Sequence, residues 1–329
     1  MPTSSETQIL LRPDSSSLRF LPEGPYRLAT NRISWVAIQH GGDATHGSLN
    51  LLDLATKENQ SLALPERPGF AFPVEDGRHF VVGCGRQLLV VDTSDGSHSI
   101  LADGIDAEVE NTIINDGVAF ADNIIFGCKD LEFATKKAGL YLYRGRDKQM
   151  IHLRDDQICS NGKFVRQVDD NLWLYDIDSP TRTIVRYALD LDAGTLGDAE
   201  TVIDFAGDPA VPDGMLLAPA TESGEESLIV AMFFPGVADH GETRQYRLDS
   251  GDLIHTWRTV GSPQNTCPQL VDSDDGIALV ITTAVENYDD EQQQQCPNAG
   301  CLFIGQTEFA LAQYDADSLC PALPATMIS

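Results

Sequence analysis

The sequence predicts an all-β chain folded as a six-bladed β-propeller, and three observations carry that expectation. Short strands follow one another along the chain, turn residues separate them, and a looser unit recurs about every 45–55 residues. The strands are read from runs such as Ile33–Gln39, Ser48–Asp53, His79–Gly83, Gln87–Asp92, Asn123–Phe126, Gly139–Tyr143, Asn171–Tyr175, Thr183–Tyr187, Ser227–Ala231 and Ala278–Thr282. Many alternate apolar and polar residues, and nearly all are bounded by Asp, Gly, Asn, Ser or Pro, which favour turns. No stretch keeps a helical period beyond about two turns.

The longer unit has its own grammar. Turns such as Glu75-Asp76-Gly77 and Asp169-Asp170-Asn171 lead into inner strands, and outer strands end in pieces such as Asp92–Gly96 and Asp190–Gly194. This spacing suits four-stranded antiparallel blades rather than a sandwich, and about six of them fit a chain of 329 residues. One domain over residues 1–329 is therefore expected, although length alone would allow two. Strands near Gln8–Leu11 and Phe309–Asp315 are expected to close the ring, with residues 1–15 and 309–329 as closing segments or terminal tails. The stretch Asp289–Gln295, rich in glutamine, reads as an exposed loop.

Composition narrows the partners. Fifty acidic against 22 basic residues give a net charge of −28. Nucleic acid and anionic membranes both require a basic footprint, so neither is expected as a partner. The charge fits cation binding and, equally, a very soluble surface. The first residues lack the basic and apolar regions of a secretory leader, and the longest apolar run, Leu228–Phe234, is far too short to span a bilayer. A cytoplasmic location is the expectation. Seven cysteines cannot all pair within the chain; Cys296 and Cys301 are close enough in sequence to bridge or to bind a metal together.

Several chemistries have no support. The chain has no Gly-x-Ser-x-Gly elbow and no phosphate-binding glycine loop, and its seven histidines never pair at metalloprotease spacing. An active site here must be built from Asp, Glu and Asn, the oxygen donors that suit hard cations. Four short motifs offer such donors: Pro22-Glu23-Gly24-Pro25, Ile114-Asn115-Asp116-Gly117, Cys159-Ser160-Asn161-Gly162 and Val211-Pro212-Asp213-Gly214-Met215. Taken singly, Asn-Gly and Asp-Gly are ordinary turn formers. Asn115 and Asp213, however, fall just before expected inner strands at Val118–Phe120 and Met215–Leu217, in different blades. Loops at that place in a propeller converge on the axis.

In this order the motifs resemble the senescence marker protein, gluconolactonase and luciferin-regenerating enzyme family of six-bladed propellers. The resemblance covers roughly residues 18–310 and is densest from Cys159 to Ala284, including Asp178-Ser179-Pro180-Thr181-Arg182. It implies one axial divalent cation, Ca²⁺ first and Zn²⁺, Mg²⁺ or Mn²⁺ as alternatives, with Glu23, Asn161 and Asp213 as ligands. It implies Asp213 as the catalytic base and Asn115 beside metal and substrate. The activity implied is hydrolysis of a small lactone or related ester. Ile113 stands where the family's sugar lactonases commonly carry an arginine, Lys129 is unexpected for the family, and Glu132 matches a family carboxylate only across a one-residue gap; all three are candidate substrate contacts. Ile113 leaves a less polar lactone or ester as good a fit as gluconolactone. A calcium-binding regulatory or scaffold propeller without turnover, and an organophosphate or arylester hydrolase on the same centre, are the alternatives.

Overall fold

The computed structural model describes residues 2–220, 224–273, 276–310, 314 and 320–329. The chain begins with β1 (Thr3–Glu6) and β2 (Gln8–Leu11), which belong to blades completed much later. Blade one holds β3 (Pro22–Ala29), β4 (Arg32–Ala37), β5 (Ser48–Asp53) and β6 (Asn59–Ala63). Blade two holds β7 (Pro68–Pro73), β8 (His79–Cys84), β9 (Gln87–Asp92) and β10 (His98–Ala102). Blade three holds β11 (Thr112–Phe120), β12 (Asn123–Asp130), β13 (Ala138–Arg144) and β14 (Gln149–Gln157). Blade four holds β15 (Ser160–Val168), β16 (Asn171–Asp178) and β17 (Thr183–Asp190), and β18 (Thr195–Leu196) and β19 (Glu200–Asp204) share its outer edge. Blade five holds β20 (Val211–Ala218), β21 (Ser227–Phe233), β22 (His240–Arg247) and β23 (Leu253–Val260). Blade six holds β24 (Asn265–Ser273), β25 (Gly276–Thr283) and β26 (Leu302–Gln306).

The six innermost strands, β3, β7, β11, β15, β20 and β24, touch in ring order, with β24 returning to β3. The start of the chain closes the ring. Strand β2 pairs antiparallel with β26, Gln8 opposite Ile304, and gives blade six its fourth strand. Strand β1 adds in parallel to β23, Thr3 opposite His255, as a fifth strand of blade five. Strand β2 is thus the closing strand expected at Gln8–Leu11; of the one expected at Phe309–Asp315, Phe309, Ala310 and Tyr314 are in no regular element, and 311–313 and 315 lie outside the described residues. The described C-terminal residues pack under blades two and three instead. Leu323 bridges Val74, and Cys320 and Met327 join the cluster around Phe70 and Phe126.

The core is divided by the blades. Six apolar clusters lie one between each pair of neighbours, for example Ile125, Leu140, Leu174 and Tyr187 between blades three and four. A sheet buried on both faces needs apolar residues at successive positions, so β12 is buried along its whole length.

The glutamine-rich segment is not a loop. Asp289 caps a short helix, α1 (Asp290–Gln295), accepting from the Gln292 N–H at 2.8 Å, and the Gln292 side chain accepts from the Asp289 N–H at 3.0 Å. This reciprocal pairing satisfies two otherwise orphaned donors. All seven cysteines are free and buried, so Cys296 and Cys301 are unbridged. The turn between them is held by Arg12, which donates to Pro297 O at 2.9 Å and Asn298 Oδ1 at 2.7 Å. Among the described residues no helix is long and apolar enough to cross a membrane.

Candidate functional site

Near the start of every inner strand the ladder slips. Register shifts fall between Glu23 and Tyr26, Pro68 and Phe70, Ile114 and Gly117, Ser160 and Lys163, Pro212 and Met215, and Asn265 and Pro268. A bulge leaves residues out of the ladder and re-aims their side chains. Asn115, Asn161 and Asp213 are such residues, and Glu23 stands at the edge of another. Apart from Cys159, which immediately precedes β15, the four motifs thus lie inside the inner strands, not in turns ahead of them. Gly24 is at φ 50°, while the other motif glycines are set by close approach of neighbouring blades. A Cβ on Gly162 would lie 2.3 Å from Met215 N, and one on Gly214 would lie 2.6 Å from Cys267 Sγ.

Glu23, Asn115, Asn161 and Asp213 meet in one cavity of about 350 Å³, joined there by Lys129 from β12 and by Ser179 from the turn after β16. All six are buried. The amides are oriented by a chain of hydrogen bonds across three blades. Asn115 Nδ2 donates to Ser160 O at 2.8 Å and to Asn161 Oδ1 at 2.7 Å. Asn161 Nδ2 donates to Ser179 Oγ at 2.7 Å, and Ser179 Oγ donates to Pro212 O at 2.7 Å. The nitrogen donors are spent on this chain, so Ser179 is a positioning residue for Asn161.

The two carboxylates are electrostatically uncomfortable. Burial, followed by the Asp116 carboxylate, pushes Glu23 up to about 8, against the opposing pull of the Gly24 N–H at 2.9 Å and of Lys129. Burial, then the charges of Glu23 and Asp116, raises Asp213 well above the usual carboxylate range. Buried like charges demand a proton or a cation. Oxygen donors of this kind, carboxylates and amide carbonyls, suit Ca²⁺ or Mg²⁺. Among the described residues no three His, Cys, Asp or Glu side chains are grouped to hold a metal ion. The axial set has two carboxylates and two amides.

Two expected contacts lie elsewhere. Ile113 is half-buried opposite Lys129 in the β11–β12 ladder and is not a wall of the cavity. Glu132 is exposed, outside the cavity, and accepts from Asn111 Nδ2 at 3.3 Å. The acid that does line the cavity, Glu286, follows β25, and nothing in its sequence context marked it among fifty acidic residues. Phe133, Phe233 and Pro235 line the cavity as well. Phe133 sits at φ 51°, a left-handed conformation uncommon for an aromatic residue. Its turn is held by Asp130, whose carboxylate accepts from the N–H groups of Glu132, Ala134 and Thr135 and pairs with Lys137 Nζ at 3.0 Å.

Residues 21–285 match the family model described as SMP-30/Gluconolactonase/LRE-like region. The chain belongs to this family. Within the SMP-30/gluconolactonase/LRE-like family, one relative is a Bacillus subtilis protein named "Putative sugar lactone lactonase YvrE", 30% identical over 184 residues. That match takes in 55% of this chain and 57% of the relative, so the chain spans little more than half the relative's length. Among solved structures, a calcium-binding protein, regucalcin, from Agrobacterium tumefaciens superposes with a TM-score of 0.76 at 22% identity, covering 92% of this chain and 95% of that one. A luciferin-regenerating enzyme gives 0.72 at 19% identity, covering 88% and 92%. A gluconolactonase from Xanthomonas campestris gives 0.58 at 15% identity, covering 87% and 85%. At these identities the likeness establishes the six-bladed fold.

Proposed function

We propose that this chain is a metal-dependent hydrolase of small lactones or related esters, with one divalent cation, Ca²⁺ first among candidates, held by Glu23, Asn161 and Asp213. The observation that carries the reading is the pair of buried carboxylates, both pushed toward protonation, in a cavity whose remaining axial donors are amides. The family and its lactonase relative favour the same chemistry. When bound, such an ion polarises an acyl oxygen and makes a neighbouring water more acidic. Asp213 is the base that takes the proton from the attacking water. Asn161, locked by Ser179, keeps its oxygen turned away from that hydroxyl, and Asn115 fixes Asn161 from the other side. The enclosing walls limit the water that can reach the acyl carbon. A cytoplasmic location belongs to the same reading, since seven unpaired thiols suit a reducing compartment.

A panel of lactones and aryl esters, assayed with and without a chelator, tests this. The expected outcome is hydrolysis of at least one class, loss of activity on chelation and recovery with added Ca²⁺. Binding of calcium with no turnover of any substrate would instead make the protein a calcium-binding propeller. Chelator-insensitive hydrolysis would remove the metal from the mechanism.

A further inference from the structure

Two features of the axial cavity bear on the chemistry of its occupant. The first is its wall. Leu21, Ile38, Phe133, Val211, Phe233 and Pro235 surround the space, and among the described residues no arginine lines it. The amide and hydroxyl donors on its floor are already engaged, with one another and with the carbonyls of Ser160 and Pro212. A polyhydroxy ring entering here would give up its hydrogen bonds to water and find few replacements, which is costly.

The second is Lys129. It is only 7% exposed, and among the described residues its ammonium makes no hydrogen bond or ion pair. Its Nζ lies 5.8 Å from the centroid of the Phe133 ring, with the charges of Glu23 and Asp213 within electrostatic reach. A buried ammonium without a direct partner points to an oxygen supplied by a ligand.

Resting on the hydrolase reading above, we infer that the substrate is a lactone or ester with an apolar body seated against this wall and its acyl oxygen held by Lys129. Alkyl or aryl lactones are then preferred to polyhydroxy sugar lactones. In the reaction the water oxygen bonds to the acyl carbon and the ring C–O bond breaks. The proton taken by Asp213 goes to the departing oxygen, so the product is a hydroxy acid and no further reactant is needed. The new carboxylate also faces Lys129.

The test uses the full chain with Ca²⁺ and a series of γ-lactones from butyrolactone to decalactone, with glucono-δ-lactone for comparison. The value of kcat/KM is expected to rise about two- to fourfold per methylene until the wall is covered, the factor expected for burying a CH₂ group. The best alkyl lactone should exceed gluconolactone by about tenfold or more. A non-hydrolysable alkyl γ-lactam, titrated by calorimetry, separates recognition from turnover. Lys129→Met should weaken lactam binding and relieve inhibition by the hydroxy acid by about tenfold, with Lys129→Arg recovering much of both. Faster hydrolysis of gluconolactone than of every alkyl lactone overturns the inference and leaves the hydrolase intact. Lactam binding that needs Lys129, without turnover of any lactone, sustains the wall and Lys129 and sinks the hydrolase reading. Absence of both lactam binding and a chain-length trend overturns the inference, and the wild-type series does so whether or not the variants fold.

Discussion

Asp213→Asn is expected to lower kcat/KM for any lactone the protein hydrolyses by about 10³- to 10⁴-fold, with the fold retained. General-base catalysis alone is worth about 10²–10⁴ in rate. The same change removes one of two carboxylates from the proposed cation site, so the larger part of that range is expected. Asparagine keeps the shape of the bulge residue and leaves Gly214 free to approach Cys267, so the strand has no reason to rearrange. The loss should appear in kcat, because the proton transfer belongs to the transition state. Asp116→Asn should do much less: Asp116 belongs to the same bulge as Asn115 but lines a second chamber of about 370 Å³. Equal activity in Asp213→Asn and wild type would remove Asp213 from the mechanism.

Stability should depend on pH in an unusual direction when the protein is stripped of metal. Glu23 and Asp213 have folded pKa values raised above those of the unfolded chain, mainly by burial and then by neighbouring carboxylates. A carboxyl group raised in this way contributes its stabilisation below the unfolded pKa, near 4, and loses it as pH rises through the folded value, about 8 for Glu23. Chelated protein is therefore expected to lose on the order of a few kcal/mol of unfolding free energy between pH 5 and 8. Saturating Ca²⁺ should cancel the loss by binding the folded state alone. Below about pH 4 the sign reverses. Asp130, which burial alone would raise, is brought down to about 2 by Lys137 and by the N–H groups of its own turn, and protonating it costs stability. Urea titrations at pH 5 and pH 8, in chelator and in calcium, read this directly. Glu23→Gln should flatten the chelated profile. A chelated protein equally stable at both pH values would show that these carboxylates are not in conflict.

Most of the architecture was legible because a propeller repeats one local problem. Each blade is a set of short strands with polar turns, so Ser48–Asp53 and Gln87–Asp92 could be bounded to the residue from alternation and turn chemistry. What alternation cannot report is a bulge, because an extra residue looks like the beginning of a new element. Asn115 and Asp213 therefore read as turn residues ahead of strands when they lie within them. The closing strand at Gln8–Leu11 could be read from its local pattern, whereas its pairing with β26 depends on contacts across the whole chain. The helix at Asp290 had a legible start, Asp-x-x-Gln, outweighed by the low complexity of what followed. In the cavity, the motif residues were found because they recur near the start of the inner strand in four of the six blades. Glu286, Phe133 and Phe233 come from connections and strand ends that do not repeat, so no period points to them.

The proposed chemistry requires the axial carboxylates to hold one divalent cation. The direct measurement is a calorimetric titration of the chelator-stripped full chain with Ca²⁺, run beside Glu23→Gln and Asp213→Asn. One ion per chain in the wild type, with affinity lost in both variants, is the expected result. No calcium, magnesium, manganese or zinc binding to the wild type, or binding that both variants keep unchanged, would contradict it.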